Sequence, residues 1–284
     1  MINSIKHCRR QAFAGLLTAL LVPCLWPQMI LADDAPHVRN IPVPETDRSI
    51  HCTVYSPSRV PDGPTGLVIH LYGSGGSHTE FNIRRPPYDS LRSLLSERGY
   101  WLIVPELGPK HWMNEEACAV LDVVIADCTS RLNVDPRQIH LLGTSMGAGS
   151  SLNYIIRRPG KIRSVAALFP MTDFNRWLQE APAYRQRVED AHQIQPDHRE
   201  ASLRNLSPLH HVEAFRTTSV FLLHGAKDDI VPVHHSREFA ARLQAQGSPV
   251  IYREHPDGTH LDEVARPYQM ELADFLTKPA PFKN

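Results

Sequence analysis

A serine set between two glycines is the residue of this chain whose surroundings most directly suggest chemistry. The run Gly143-Thr144-Ser145-Met146-Gly147 follows the apolar stretch Ile139-His140-Leu141-Leu142 and leads into Ala148-Gly149-Ser150-Ser151. A strand that ends on Gly-x-Ser-x-Gly and turns at once into a helix holds its serine on a tight, strained turn with the hydroxyl exposed. Ser145 is therefore the expected nucleophile. A serine hydroxyl is weak at neutral pH, so a base must take its proton and a third group must hold that base in one tautomer. A Gly-rich turn that merely packs a helix on a sheet has the same letters, and the other members decide between the two readings.

Candidates for both partners lie downstream. The apolar strand Ser219-Val220-Phe221-Leu222-Leu223 runs into His224-Gly225-Ala226-Lys227-Asp228-Asp229-Ile230-Val231-Pro232, which places carboxylates in the loop after the strand. A second strand, Pro249-Val250-Ile251-Tyr252-Arg253, is followed by His255-Pro256-Asp257-Gly258-Thr259-His260. Catalytic groups gather at the carboxyl ends of parallel strands, so His260 is the expected base. His255 and His224 compete with it but read as packing or supporting histidines. Asp173, after the strand Val165-Ala166-Ala167-Leu168-Phe169, is an alternative acid that reads better as a turn cap.

The chain order Ser, Asp, His differs from the chymotrypsin and subtilisin orders. With these stretches, the chain from about Ile50 to its C-terminus resembles the α/β-hydrolase superfamily, and within it the prolyl-oligopeptidase-like and esterase branches. The resemblance implies that the acid is the aspartate of Gly-x-x-Asp-x-x-Val-Pro, which falls on Asp228 rather than Asp229. Acyl transfer also needs N–H donors for the developing oxyanion. The Met146 amide opens a helix and has no intrahelical partner. The loop Tyr72-Gly73-Ser74-Gly75-Gly76-Ser77, after the strand Leu67 to Leu71, resembles the superfamily's His-Gly oxyanion loop, with Tyr72 where histidine is common. The second donor is assigned to the Ser74 amide, with Gly73 and Gly75 as alternatives.

Periodicity and punctuation supply the elements that must hold these groups. Strands are expected near 50–55, 66–72, 100–105, 138–142, 164–169, 219–224 and 249–254. Helices are expected near 88–98, 114–131, 146–158, 233–246 and 261–277. The alternation predicts an α/β fold with a doubly wound, mostly parallel sheet, the α/β-hydrolase architecture. Between Phe169 and Ser219 lies a segment rich in charge and aromatics, expected to form short helices over about 174–215, a position where the superfamily commonly carries a lid. Tyr72, His111, Trp112 and Trp177 are candidate substrate-binding residues, or aromatics that simply cover the sheet.

The chain has 284 residues, with 30 Lys and Arg against 30 Asp and Glu. This balance argues against a nucleic-acid partner. Lys6, His7, Arg9 and Arg10, the apolar stretch Ala12 to Val22, and Ile30-Leu31-Ala32 before Asp33 read as a signal peptide over 1–32. A secreted or periplasmic catalytic domain over 33–284 follows, without stable membrane association after cleavage. Of five cysteines, Cys52, Cys118 and Cys128 remain in it. Cys118 and Cys128 fall on one helix about 15 Å apart and cannot bond each other, so three buried thiols are expected, with a Cys52 pairing as the alternative. The sixteen histidines show no recognisable zinc spacing, and neither a metal nor a cofactor is expected. The reading is an exported serine hydrolase acting on a small or carbohydrate-linked carboxylic ester. A peptidase of prolyl-oligopeptidase type is the second reading, and a non-catalytic binding protein on the same shell the third.

Overall fold

The computed structural model describes residues 36–59, 62–84 and 86–278. The leader expected over 1–32 lies outside the described residues. In chain order the elements are β1 (His37–Pro42), β2 (Ser49–Tyr55), β3 (Thr65–Leu71), α1 (Tyr88–Glu97), β4 (Tyr100–Pro105), α2 (Glu115–Arg131), β5 (Val134–Thr144), α3 (Met146–Arg157), β6 (Ser164–Leu168), α4 (Phe174–Glu180), α5 (Arg185–His192), α6 (Arg199–Asn205), β7 (Ser219–Gly225), α7 (His234–Ala245), β8 (Val250–His255) and α8 (Gln269–Thr277).

The strands form one sheet in the order β1-β2-β4-β3-β5-β6-β7-β8. Pairing is antiparallel between β1 and β2 and between β2 and β4, and parallel from β4 to β8. This is the mostly parallel sheet the alternation predicts, with an antiparallel edge. Strands β3 and β7 are buried along their whole length, as parallel strands covered on both faces must be. Alternate residues feed opposite faces. Leu67, Ile69 and Leu71 pack with α2, α3 and α7, whereas Val68 and Tyr72 pack with α1, α8 and the α4–α6 segment.

Local chemistry sets the helix ends. The Asn114 side chain accepts a hydrogen bond from the Ala117 amide at 2.9 Å, an N-cap that contributes about 1 kcal/mol. Glu115 and Glu116 occupy the first turn of α2, where the helix dipole favours negative charge.

Two details differ from the sequence reading. Strand β1 pairs with β2 ahead of the first expected strand. The stretch expected as one helix over 261–277 is a 3₁₀ segment, Asp262–Tyr268, followed by α8. Pro267 lies inside that segment, and its missing N–H cannot join an α-helical ladder there.

Short helices do fill the stretch between β6 and β7. Their buried side chains, among them Phe174, Trp177, Val188 and Leu203, join the core cluster on the α1 and α8 face. Cys52, Cys118 and Cys128 are all buried and free. Burial pushes their thiols up, to about 12, 11 and 12 respectively.

Candidate active site

The turn after β5 carries Ser145 at φ 52° and ψ −119°, a left-handed backbone that a serine adopts only under constraint. Its amide donates to the Leu168 carbonyl at 3.0 Å, so the strained residue is pinned to β6. The flanking glycines permit the contact that shapes the turn. A methyl group on Gly147 would lie 1.9 Å from the Leu71 carbonyl oxygen, and one on Gly143 would lie 2.4 Å from the Gly147 oxygen. No side chain fits between strand and helix at either point, and Ser145 is left partly exposed.

The loops after β7 and β8 are joined to each other through their backbones. Ala226 donates to the His255 carbonyl and Lys227 to the Gly258 carbonyl, each at 2.8 Å. A methyl on Gly225 would come within 2.4 Å of Gly258. This contact brings Asp228 and His260 to one edge. His260 Nε2 lies 2.8 Å from Ser145 Oγ, and His260 Nδ1 lies 2.7 Å from Asp228 Oδ2. A carboxylate only accepts, so Nδ1 carries the proton and Nε2 faces the serine hydroxyl with its lone pair. Phe169, itself at φ 43°, sets its ring 4.7 Å from the His260 ring.

Asp228 is buried, whereas Asp229 is exposed. Asp228 Oδ1 accepts from the Ile230 and Val231 amides at 3.0 and 2.8 Å. Burial by itself would push the carboxyl up. The close His224 N–H and the hydrogen bond from His260 outweigh it and hold the group well below the usual carboxylate range.

Two amides stand near the nucleophile. Met146 opens α3, where a helix has no internal partner for its N–H. Gly73 places the preceding loop against the nucleophile, since a methyl on it would lie 3.6 Å from Ser145 Cβ. That loop is braced by Gly75 N–H to the Pro109 carbonyl at 3.0 Å and by Gly76 N–H to the Gly73 carbonyl at 3.0 Å. These bonds leave the Ser74 amide between them without a backbone acceptor among the described residues.

The four candidate substrate-binding side chains are all buried. Tyr72 is 1% exposed, His111 4%, Trp112 2% and Trp177 1%. The Tyr72 hydroxyl donates to Glu106 Oε1 at 2.7 Å and accepts from the Leu107 amide at 2.9 Å, which ties the Ser74 loop to the end of β4. His111 Nδ1 accepts from the Met113 amide at 3.1 Å, and burial holds its ring neutral, with the pKa lowered to about 3. Trp112 packs on Trp177 at 5.5 Å, and Trp177 Nε1 donates to the Ile230 carbonyl at 3.0 Å. The aromatics thus support the acid loop from beneath.

Asp173 caps α4, accepting from the Arg176 amide at 3.2 Å. Glu106 is a residue that sequence reasoning missed. A charged residue just past the end of a parallel strand, beside Tyr72 on the neighbouring strand, was the available signal.

Glu180, His234 and His235 bring one potential ligand atom each within 4.8 Å of one another. The donor set does not fit a metal. His235 Nδ1 faces the Thr172 and Asp173 amides at 3.4 Å, so its proton sits on Nε2, which points at Glu180 Oε2 at 3.2 Å. A metal on Nε2 would require a proton on Nδ1 against two N–H groups, the opposite of the acceptor that orients a ligating histidine. Arg176 already occupies Glu180 Oε1 at 3.0 Å.

The family model of the prolyl oligopeptidase family matches residues 110–278, more than half of the chain and inclusive of Ser145, Asp228 and His260. The chain belongs to the prolyl oligopeptidase family. The Ser74 loop lies ahead of the matched residues. No curated protein matches the sequence with significance. Among solved structures, a puromycin-hydrolyzing peptidase from Mycobacterium tuberculosis is similar in fold, at 17% identity and TM-score 0.73, with 89% of this chain covered and 40% of that one. An acylaminoacyl peptidase from Pyrococcus horikoshii follows at 13% identity and TM-score 0.68, covering 88% of this chain and 43% of that one. A 2,6-dihydroxy-pseudo-oxynicotine hydrolase is also similar, at 19% identity and TM-score 0.61, covering 86% and 68%. The chain thus spans about two fifths of the length of the first two.

Proposed function

We propose that this member of the prolyl oligopeptidase family is a serine hydrolase that cleaves peptide or acyl-amide bonds, ahead of the carboxylesterase that the motifs alone put first. The observation that carries the proposal is the continuous line from Ser145 Oγ through His260 to Asp228, with steps of 2.8 and 2.7 Å. Family membership and fold neighbours that are themselves named peptidases support the choice of amide over ester.

In this mechanism His260 Nε2 takes the Ser145 proton as Oγ attacks the carbonyl carbon. The oxyanion is held by the Met146 and Ser74 amides, interactions stronger in the transition state than in the bound substrate. His260 then gives the proton to the departing amine, and the acyl-enzyme forms. Water, deprotonated by His260, attacks the acyl carbon, the bond to Oγ breaks, and His260 returns the proton to Ser145 as the acid leaves. Asp228, held as an anion, orients the imidazole and stabilises its charged form. Export is part of the same proposal and rests on the charge and apolar pattern of residues 6–32.

The test compares aminoacyl and acyl-aminoacyl anilides, proline anilides and p-nitrophenyl esters on purified protein, beside Ser145→Ala and a fluorophosphonate probe. Turnover of an anilide, and labelling, that both vanish in Ser145→Ala are expected. Ester turnover without any anilide turnover restores the carboxylesterase. Absence of both turnover and labelling points to the binding protein.

A further inference from the structure

His224 is fully buried at the end of β7, yet both of its ring nitrogens are engaged in hydrogen bonds. Nε2 lies 2.7 Å from the Val231 carbonyl, which can only accept, so Nε2 carries the proton. Nδ1 lies 2.7 Å from Ser236 Oγ, which then donates to it. One hydroxyl and one carbonyl therefore fix the tautomer and the tilt of the ring. The same Nε2 stands 3.3 Å from Asp228 Oδ2, the oxygen that accepts from His260 Nδ1.

From this arrangement we propose that His224 is a positioning residue, holding Asp228 Oδ2 on the line to His260. The inference rests on the acyl-transfer reading above and sets the His224 N–H, directed at Val231, 3.3 Å from the oxygen that ends the hydrogen-bonded line. Asp228 is a short side chain whose carboxylate could rotate about its last torsion. Two amides grip Oδ1 from the Ile230 and Val231 side, and His224 confines Oδ2 from the other. With Oδ2 confined, His260 keeps its proton on Nδ1 and its lone pair toward Ser145. A residue that only filled space here would be apolar, since a buried imidazole without such contacts costs desolvation and contributes nothing in return. Ser236, in α7, acts one step further back, as the donor that keeps the His224 proton on Nε2.

The experiment compares wild type, His224→Leu, His224→Gln and Ser236→Ala. It uses steady-state kinetics on the best acyl substrate, end-point fluorophosphonate labelling to count active sites, and the far-downfield proton resonance of His260 Nδ1–H. Glutamine can place an amide N–H near the Nε2 position, and leucine cannot. Loss of a buried N–H dipole 3.3 Å from the carboxylate oxygen predicts a fall in kcat of about 10-fold for His224→Leu, with KM within twofold. Recovery of most of that loss is expected in His224→Gln, and an intermediate loss in Ser236→Ala. The resonance should be present in wild type and His224→Gln and lost or displaced in His224→Leu.

Unchanged kcat per active site and an unchanged resonance in His224→Leu would overturn the inference, as would equal losses in His224→Leu and His224→Gln. Should His224→Leu fail to fold, the glutamine and Ser236→Ala proteins carry the same comparison. The resonance reads the hydrogen-bonded line without turnover. A wild-type protein that shows it, loses it in His224→Leu and cleaves no acyl substrate would sink the proposed reaction and leave the positioning role standing.

Discussion

Asp228→Asn separates the charge of the acid from its shape, and the structure dictates which way the new amide must turn. The carboxylate is ringed by donors, with the Ile230 and Val231 amides on Oδ1 and His260 Nδ1 and His224 Nε2 on Oδ2. An asparagine NH₂ meets two N–H groups in either orientation. Turned toward Oδ1, it strands two backbone donors that have no other tautomer, at about 1–3 kcal/mol each. Turned toward Oδ2, it meets His260, which can move its proton from Nδ1 to Nε2 and accept instead. His224 keeps its shorter bond to Val231 in that case. The second orientation wins by roughly 2–6 kcal/mol, and it leaves Nε2–H pointing at Ser145, where a lone pair is required. The fold should therefore survive, with Tm lowered by no more than about 4 °C. Acyl transfer should fall by about 10⁴-fold. Steady-state kinetics, thermal unfolding and nitrogen NMR of the His260 tautomer read the three quantities. An Asp228→Asn protein that keeps more than a tenth of its kcat while losing stability would mean that the amide turned the other way, and the energetic ordering would be wrong.

Other expectations concern the frame around the site. Gly147→Ala should destabilise the protein by at least about 3 kcal/mol, because its methyl would lie 1.9 Å from one backbone atom of Leu71 and 2.3 Å from another. Gly63→Ala, which meets nothing within 4 Å, should leave the urea midpoint unchanged, and similar midpoints for the two variants would refute the packing account. Burial, as the largest cause, holds His111 and His140 neutral in the fold, with pKa lowered to about 3, and His192 and His235 to about 4. In the unfolded chain each titrates near 6.5, so unfolding takes up protons below that pH. The stabilisation is complete above about 6.5 and is lost progressively as pH falls through the folded values of about 4 and 3. Near pH 5 the uptake amounts to between about three and four protons, and stability falls by about 5 kcal/mol per pH unit. Urea titrations at closely spaced pH values measure this slope, and an uptake below one proton would show that these rings are already charged in the fold.

The candidate site was legible in the sequence wherever its signal was local. Gly143 and Gly147 around Ser145 announce a close approach of strand and helix, and the structure supplies the reason in the Leu71 backbone. The apolar runs of β3, β5, β6 and β7 announce a buried parallel sheet because both faces of each strand are covered. The 3₁₀ segment after His260 was less legible. Apolar spacing over 261–277 suits a helix, and a single proline outweighs it. The four aromatic and histidine residues near the site carry no local sign of which side of a loop they face. Tyr72 looks like an exposed loop residue until Glu106, 34 positions away, accepts its hydroxyl.

What the sequence determined by itself was the set of parts and their order: an elbow serine, an aspartate after one strand and a histidine after the next. Those assignments depend on neighbours a few residues apart, where backbone sterics and side-chain period act directly. Tertiary structure decided how the parts meet. Ser145 and His260 are 115 residues apart in the chain and Asp228 and His260 are 32 apart. Their separations in space follow from sheet register and from the backbone contact of Gly225 with Gly258. The same long-range packing buries Asp228 and exposes Asp229. It also sets His224 against the acid and seals Trp112 and Trp177 beneath the acid loop. Local propensity carries no information on such distances, because they are fixed by the sum of core contacts across both faces of the sheet.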